Sequence, residues 1–473
     1  MREEILMVLK MLQEGKITAE DAEKLISALQ KQPESPGRQQ GFQIPSFEAG
    51  LGAARRRAKA AAERAREFLS QVDAERYVSR AMRQLEEALK RVDSVLRDME
   101  LGRRTREFVT REQEETVEAQ REQFVAVEAE QGVRAETVTF PEGEVDDLRV
   151  STPVGNITAR RTDGEPVTVK VTFRAVGTDE AAVTEKLQDM VLDVRRVNGD
   201  VDVSIRSRGD RFPENCSADV DVQVPSGVDL TLKAVNGSVD AEGTDGDLTA
   251  ESVNGAVSVR NISGDAVVKS VNGGVKASGV SGDLELTSVN GGAQANNVAG
   301  DLKTSSVNGG LEIVSVQGDV TANTVNGSAY AESISGDARL ETVNGSLEIK
   351  NCSGDLTLKS LNGTIEASGI SSSDVRIQGG SGSVSVELAD GFSGDLVIET
   401  TGGSITLAVP LDANCRVSAA SASGSISSDL PLAEEQKTEH ELSGVLGGGA
   451  GEVVLKSGSG SITLKSRGGV LWT

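Results

Sequence analysis

Asn272-Gly-Gly-Val-Lys-Ala-Ser-Gly-Val-Ser-Gly-Asp-Leu-Glu-Leu-Thr-Ser-Val289 is the stretch that decides the fold. Its opening Asn-Gly pair recurs at Asn236, Asn254, Asn272, Asn290, Asn308, Asn326, Asn344 and Asn362, each step being 18 residues. A Gly-Asp pair keeps the same step, at Gly246, Gly264, Gly282, Gly300, Gly318, Gly336 and Gly354. A strict period of this kind marks a stacked architecture and outranks any local propensity. Inside the unit, Val275, Ala277 and Val280 are echoed nine residues later by Leu284, Leu286 and Val289. Each coil is therefore two short alternating strands separated by turns, with small aliphatic side chains inward. The fold class is mainly β, a single-chain β-solenoid with two faces. A three-sided coil of six residues per face also totals 18, but the nine-residue subperiod counts against it. Eight coils at one strand spacing each give a rod of about 38 Å.

The turns have physical reasons. Glycine supplies a positive φ at no steric cost and asparagine tolerates the left-handed region. Gly273 and Gly291 are expected at positive φ on this basis. Stacked asparagine side chains can also hydrogen-bond along the rod as a ladder. The column Asp247, Asp265, Asp283, Asp301, Asp319, Asp337 and Asp355 raises the question of calcium, since a row of carboxylates needs cations or solvent to relieve its repulsion. Calcium β-rolls use a Gly-Gly-x-Gly-x-Asp turn, however, and only Gly-Asp stands here. Solvated turn aspartates are the better account.

Outward from the repeat, the chain divides further. Residues 1–31 predict a helical hairpin, with Ile5, Leu6, Val8, Leu9 and Leu12 on one helix, and Ala22, Leu25, Ile26 and Leu29 on the next. Residues 32–52 hold prolines and read as a linker. Residues 53–133 predict a long amphipathic, coiled-coil-like region: a helix with one stutter in its heptad over about 53–99, then a charged, Glu/Gln-rich 100–133 that is either more helix or a flexible connector. Residues 134–235 form a β-rich entry, with strands at Thr137–Phe140, Val167–Phe173, Val201–Ile205, Val220–Val224 and Leu230–Leu232 and a short helix at Glu180–Met190. Regular repeats fill 236–370, and 371–473 are irregular coils and a cap, which Trp472 joins.

Composition bounds the function. The 473 residues carry a net charge of −24, one His, one Trp and two Tyr. Such an acidic surface argues against nucleic acid. Cys216, Cys352 and Cys415 lie far apart without metal-ligand spacing, which fits a reducing compartment, and Cys352 falls at an inward position. No cofactor is implied. His440 has no neighbouring nucleophile, and no carboxylates or aromatics gather on one face, so no catalytic residue is assigned and an enzyme is not expected. A polysaccharide-binding or polysaccharide-active β-helix is a weaker alternative. The basic run Arg55, Arg56, Arg57 and Lys59 could contact anionic lipid or a partner, or could be the wet face of a helix. The N-terminus does not read as a signal peptide and no apolar run spans a bilayer, which points to the cytoplasm.

The chain resembles the bacterial putative-adhesin family of β-solenoid domains. The residues that carry this are the strand–helix–strand entry around Val145–Ile205, Val220-Asp221-Val222-Gln223-Val224-Pro225 with Gly227-Val228-Asp229-Leu230, and the Val-Asn-Gly and Ser-Gly-Asp turns that follow. Leu12-Gln13-Glu14-Gly15-Lys16-Ile17-Thr18-Ala19-Glu20-Asp21-Ala22 is similar to a SHOCT-like helical module. The resemblance implies self-association or docking of another protein through the helices, a link to envelope stress and the cell envelope, and no catalytic residues.

Overall fold

The computed structural model describes residues 125–467, less 131, 142, 165, 198 and 210. The hairpin of 1–31, the linker, residues 53–124 and Trp472 lie outside the described residues. No helix among the described residues is long and apolar enough to cross a membrane.

The regular coils form two parallel sheets. In each coil one strand joins the second sheet and the next joins the first, as in β11 (Leu248–Ser252) and β12 (Val257–Ile262), and the pattern runs on through β23 (Leu356–Ser360) and β24 (Ile365–Ile370). Neighbouring strands pair in register at a separation of 18, Val257 with Val275 and Leu284 with Leu302. The alternation in the sequence becomes the two sides of each sheet, because successive side chains of a strand point opposite ways. Val275, Ala277, Val280, Leu284, Leu286 and Val289 are all buried. Burying a side chain such as Leu286 contributes about 2 kcal/mol, and every coil repeats the gain. No aromatic enters this part of the core; Cys352 takes an inward place in the column of Val316, Ile334 and Ile370.

Both ends depart from chain order. At the first, β3 (Asp147–Val154) and β4 (Ile157–Arg161) make a coil that stacks directly on β9 (Asp229–Asn236) and β10 (Val239–Glu242). The intervening chain loops outward. Its β7 (Asp200–Ser207) and β8 (Cys216–Val224) lie parallel to β3 and β4 on their far side. Beyond these run antiparallel strands, β6 (Met190–Val197) on β7, and β5 (Val167–Ala175), β2 (Val133–Phe140) and β1 (Val125–Glu130) in succession on β8. Strand β1 falls in the last part of 53–133, which the sequence leaves between helix and flexible connector and the structure makes neither; Val-Ala-Val-Glu-Ala-Glu alternates, and its pairing with β2 decides the conformation. Helix α1 (Glu180–Asp189) starts at Asp179, whose Oδ1 accepts from the Ala182 amide at 2.8 Å.

At the other end, β27 (Asp395–Thr400) and β28 (Ile405–Pro410) are followed in space by the last strands of the chain, β33 (Gly451–Ser457) and β34 (Ile462–Arg467). Only then come β29 (Cys415–Ser421) and β30 (Ile426–Ser428). Antiparallel β32 (Glu441–Leu446) and the exposed β31 (Ala433–Lys437) close the second sheet. Charged Glu434, Glu435 and Lys437 on that last strand discourage further pairing.

Candidate functional site

Polar side chains at the turns bond along the corners of the rod. At one corner, Asn254 Nδ2 donates to Asn236 Oδ1 at 2.8 Å, and the bond repeats through Asn272, Asn290, Asn308, Asn326, Asn344 and Asn362 at 2.7–3.0 Å. Asn236 donates downward to Pro153 O, and Ser381 donates to Asn362 Oδ1. At the opposite corner each aspartate accepts the backbone amide of the next, Asp265 N to Asp247 Oδ1 at 3.0 Å and onward to Asp355 N at Asp337 Oδ1. The aspartate column thereby serves the backbone, and the described residues hold no metal-binding cluster of His, Cys, Asp and Glu.

The glycines need a different explanation from the one their sequence suggests. Neither Gly273 nor Gly291 has a positive φ, and neither do Gly264, Gly282, Gly300, Gly318, Gly336 or Gly354. Close stacking is the reason. A Cβ on Gly273 would overlap the carbonyl of Gly255, and one on Gly264 would sit 2.7 Å from Gly246 O and 2.8 Å from Asp247 Oδ1. The left-handed residues form another column: Gly243, Asn261, Gly279, Asn297, Ser315, Ser333, Asn351 and Gly369. Its mixture of Gly, Asn and Ser is visible in the sequence but lacks a single repeated letter.

A further column was legible and overlooked. From Asn254 onward the residue two before each Asn is Ser or Thr, and its buried hydroxyl donates to the glycine carbonyl of the preceding Asn-Gly turn, Ser288 Oγ to Gly273 O at 2.9 Å and Thr342 Oγ1 to Gly327 O at 3.0 Å. In several coils the hydroxyl also accepts the next glycine amide, as Gly291 N to Ser288 Oγ at 3.0 Å. Every turn amide and carbonyl so satisfied removes a desolvation cost of about 1–3 kcal/mol.

Residues 356–465 match the Toastrack DUF4097 family. Residues 3–34 match a SHOCT-like domain, in line with the resemblance carried by Leu12–Ala22. The Toastrack match covers the last regular coil and the permuted end. The chain is similar to a putative cell adhesion protein from Clostridium sporogenes at 11% identity, covering 71% of this chain and 100% of that one, with a TM-score of 0.16. It is also similar to a putative adhesin from Bacteroides fragilis at 12% identity, covering 70% of this chain and 97% of the other, with a TM-score of 0.24. A putative adhesin from Parabacteroides distasonis gives 10% identity over 71% and 97%, with a TM-score of 0.24. No curated protein matches the chain.

At the corners of the rod the asparagine and aspartate side chains bond along the stack. His440 Nδ1 lies 3.0 Å from Gly424 O, a backbone contact. The thiols of Cys216, Cys352 and Cys415 are free and buried, and burial pushes each up from its ordinary range, which disfavours the nucleophilic thiolate. Arg55, Arg56, Arg57 and Lys59 lie outside the described residues.

Proposed function

We propose that the protein is a non-catalytic interaction scaffold, in which the N-terminal helices bring copies or partners together and the β-solenoid rod presents its flat faces. The observation that carries this is the division of labour just described: inward positions are aliphatic, corner polar groups bond along the rod, and the outward columns alone are free to vary. Light scattering behind a sizing column tests the helical half. The full chain is expected to run as a defined oligomer, and substituting Leu9 and Leu25 by Asp should yield monomer with the β signal of circular dichroism unchanged. A full chain that is already monomeric and captures no partner contradicts the scaffold reading.

A second reading, favoured by the basic run in an otherwise acidic chain, places the protein at the membrane surface as an envelope-stress sensor. Vesicle flotation with anionic lipid separates the two readings. Replacement of Arg55, Arg56, Arg57 and Lys59 by Ser should abolish flotation if the run is the contact. Failure of the unaltered chain to float removes this reading and leaves the scaffold.

A further inference from the structure

The outer face of the first sheet carries one feature that the repeat does not require. Of all residues from Asn236 to Ile370, Tyr330 is the one aromatic, and it stands outward on β20 (Ala329–Ile334). The residue preceding each strand of this sheet forms a column, Ser238, Ala256, Gly274, Gly292, Gly310, Ser328, Ser346 and Thr364. Where it is polar, its groups bond to one another: Ser346 N donates to Ser328 Oγ at 3.1 Å and Thr364 Oγ1 to Ser346 Oγ at 2.9 Å. In the three coils before that of Tyr330 the column has no side chain, at Gly274, Gly292 and Gly310. These glycines are not forced by stacking to the degree of their neighbours. A Cβ on Gly310 would lie 3.2 Å from Ser328 O, whereas one on Gly309 would overlap Gly291 O.

The result is a shallow groove of about 570 Å³ that crosses the coils, floored at Gly292 and Gly310 and flanked by Gln294, Glu312, Tyr330 and Glu348. Its polar groups are already held in place. Gln294 Nε2 donates to Glu312 Oε2 at 2.8 Å, Lys350 Nζ pairs with Glu348 at 2.7 Å, and the Tyr330 hydroxyl donates to Glu332. Lys350 Nζ also stands 5.2 Å from the Tyr330 ring centroid, steadying the ring from one side. A fixed aromatic plate beside carboxylate and amide acceptors suits a ligand with apolar ring faces and hydroxyl edges.

We propose that this groove binds a linear glycan, a hexopyranose ring packing on Tyr330 while neighbouring hydroxyls bond Gln294, Glu312 and Glu348. The carboxylates oppose a phosphate backbone, so nucleic acid does not fit. An added peptide strand does not fit either, because the strands under the groove, β16 (Ala293–Val298), β18 (Leu311–Val316), β20 and β22 (Leu347–Cys352), are paired on both sides. This proposal deepens the interaction role and rests on it.

Saturation-transfer NMR and calorimetry on the full chain, with linear hexaoses of β-1,4-linked glucose and β-1,4-linked N-acetylglucosamine, provide the test. One hexaose at least is expected to bind, with Tyr330→Ala weakening it about tenfold and Tyr330→Phe changing it less than about twofold, since the ring rather than the hydroxyl makes the contact. Gly310→Ser should also weaken binding by partly filling the floor, while Lys303→Ser on the opposite sheet should leave it unchanged. Binding that survives Tyr330→Ala, or that Lys303→Ser reduces equally, overturns the groove as the site while leaving an interaction role intact. Absence of binding by both hexaoses, or retention of a peptide instead, overturns the glycan assignment.

Discussion

The coils between Asn236 and Ile370 stack in the order in which the chain makes them, whereas the coils at both ends stack out of order. In the middle, every strand pairs with the strand 18 residues away, the core is narrow, and one set of columns solves every turn. At the ends, partners are remote: Ile157 pairs with Val220 and Val417 with Val453. The end cores are also wider and admit Phe140, Phe173 and Phe392. Arg134 shows how particular the ends are. Its guanidinium donates to Leu187 O and Met190 O and lies 4.4 Å from the Phe173 ring centroid, and burial lowers its pKa. Periodic order is cheap in sequence because one solution is copied. Closing a parallel stack takes dedicated antiparallel strands that copy nothing.

The largest expected contrast lies in glycine. Gly291→Val in the middle places a branched side chain against the Gly273 carbonyl and should cost about 3 kcal/mol or more, read as the shift of a denaturant midpoint. Gly391→Ala at the end, where φ is +72 and no atom lies within 4 Å of the added Cβ, should cost about 1 kcal/mol. Equal costs would mean that conformation rather than stacking governs the middle glycines. Next comes the ladder. Asn308→Ala removes two rungs and should destabilise by about 2 kcal/mol, against about 1 kcal/mol for Asn414→Ala, whose carboxamide oxygen accepts the single amide of Ala450 at 3.1 Å.

Thr304 is a flaw within the regular core. It is buried between Leu286 and Ala322, and its Oγ1 has no hydrogen-bond partner. Thr304→Val should therefore stabilise the rod by about 1 kcal/mol in the same denaturant assay. The smallest effect is that of pH. Burial raises the thiols above their unfolded value, so their contribution to stability is complete below about pH 8.5 and is lost as pH rises through the raised folded values. Replacing Cys352 with Val should flatten part of this alkaline decline, as a pH series of unfolding midpoints would record. A decline of unchanged slope would show that other groups cause it.

The sequence made the middle legible and the ends only partly so. Val275, Ala277, Val280, Leu284, Leu286 and Val289 announce their inward direction by alternation, and the asparagine ladder follows from identical residues at one step. The role of Gly273 and Gly291 was less legible, because a letter that permits positive φ is the same letter that permits close approach. Positive φ sits instead at positions such as Asn261 and Ser333, where no single letter repeats. The insertion of β33 and β34 between two earlier coils leaves no local trace, since Leu396 finds Val453 across 57 residues. The expectation that no carboxylates or aromatics gather on one face is overturned beside Tyr330: the lone aromatic was readable, but only stacking shows that Gln294, Glu312 and Glu348 gather around it.

Every 18 residues advance the rod by one strand spacing, in register. Spin labels on cysteines introduced at Ser258 and Glu366, outward positions of one column and six coils apart, measure this directly by double electron–electron resonance. The native thiols are buried and should stay unlabelled. A single narrow distance near 29 Å, with allowance for the label arms, is the predicted result. A broad distribution, or a mean far from that value, would contradict the in-register stack.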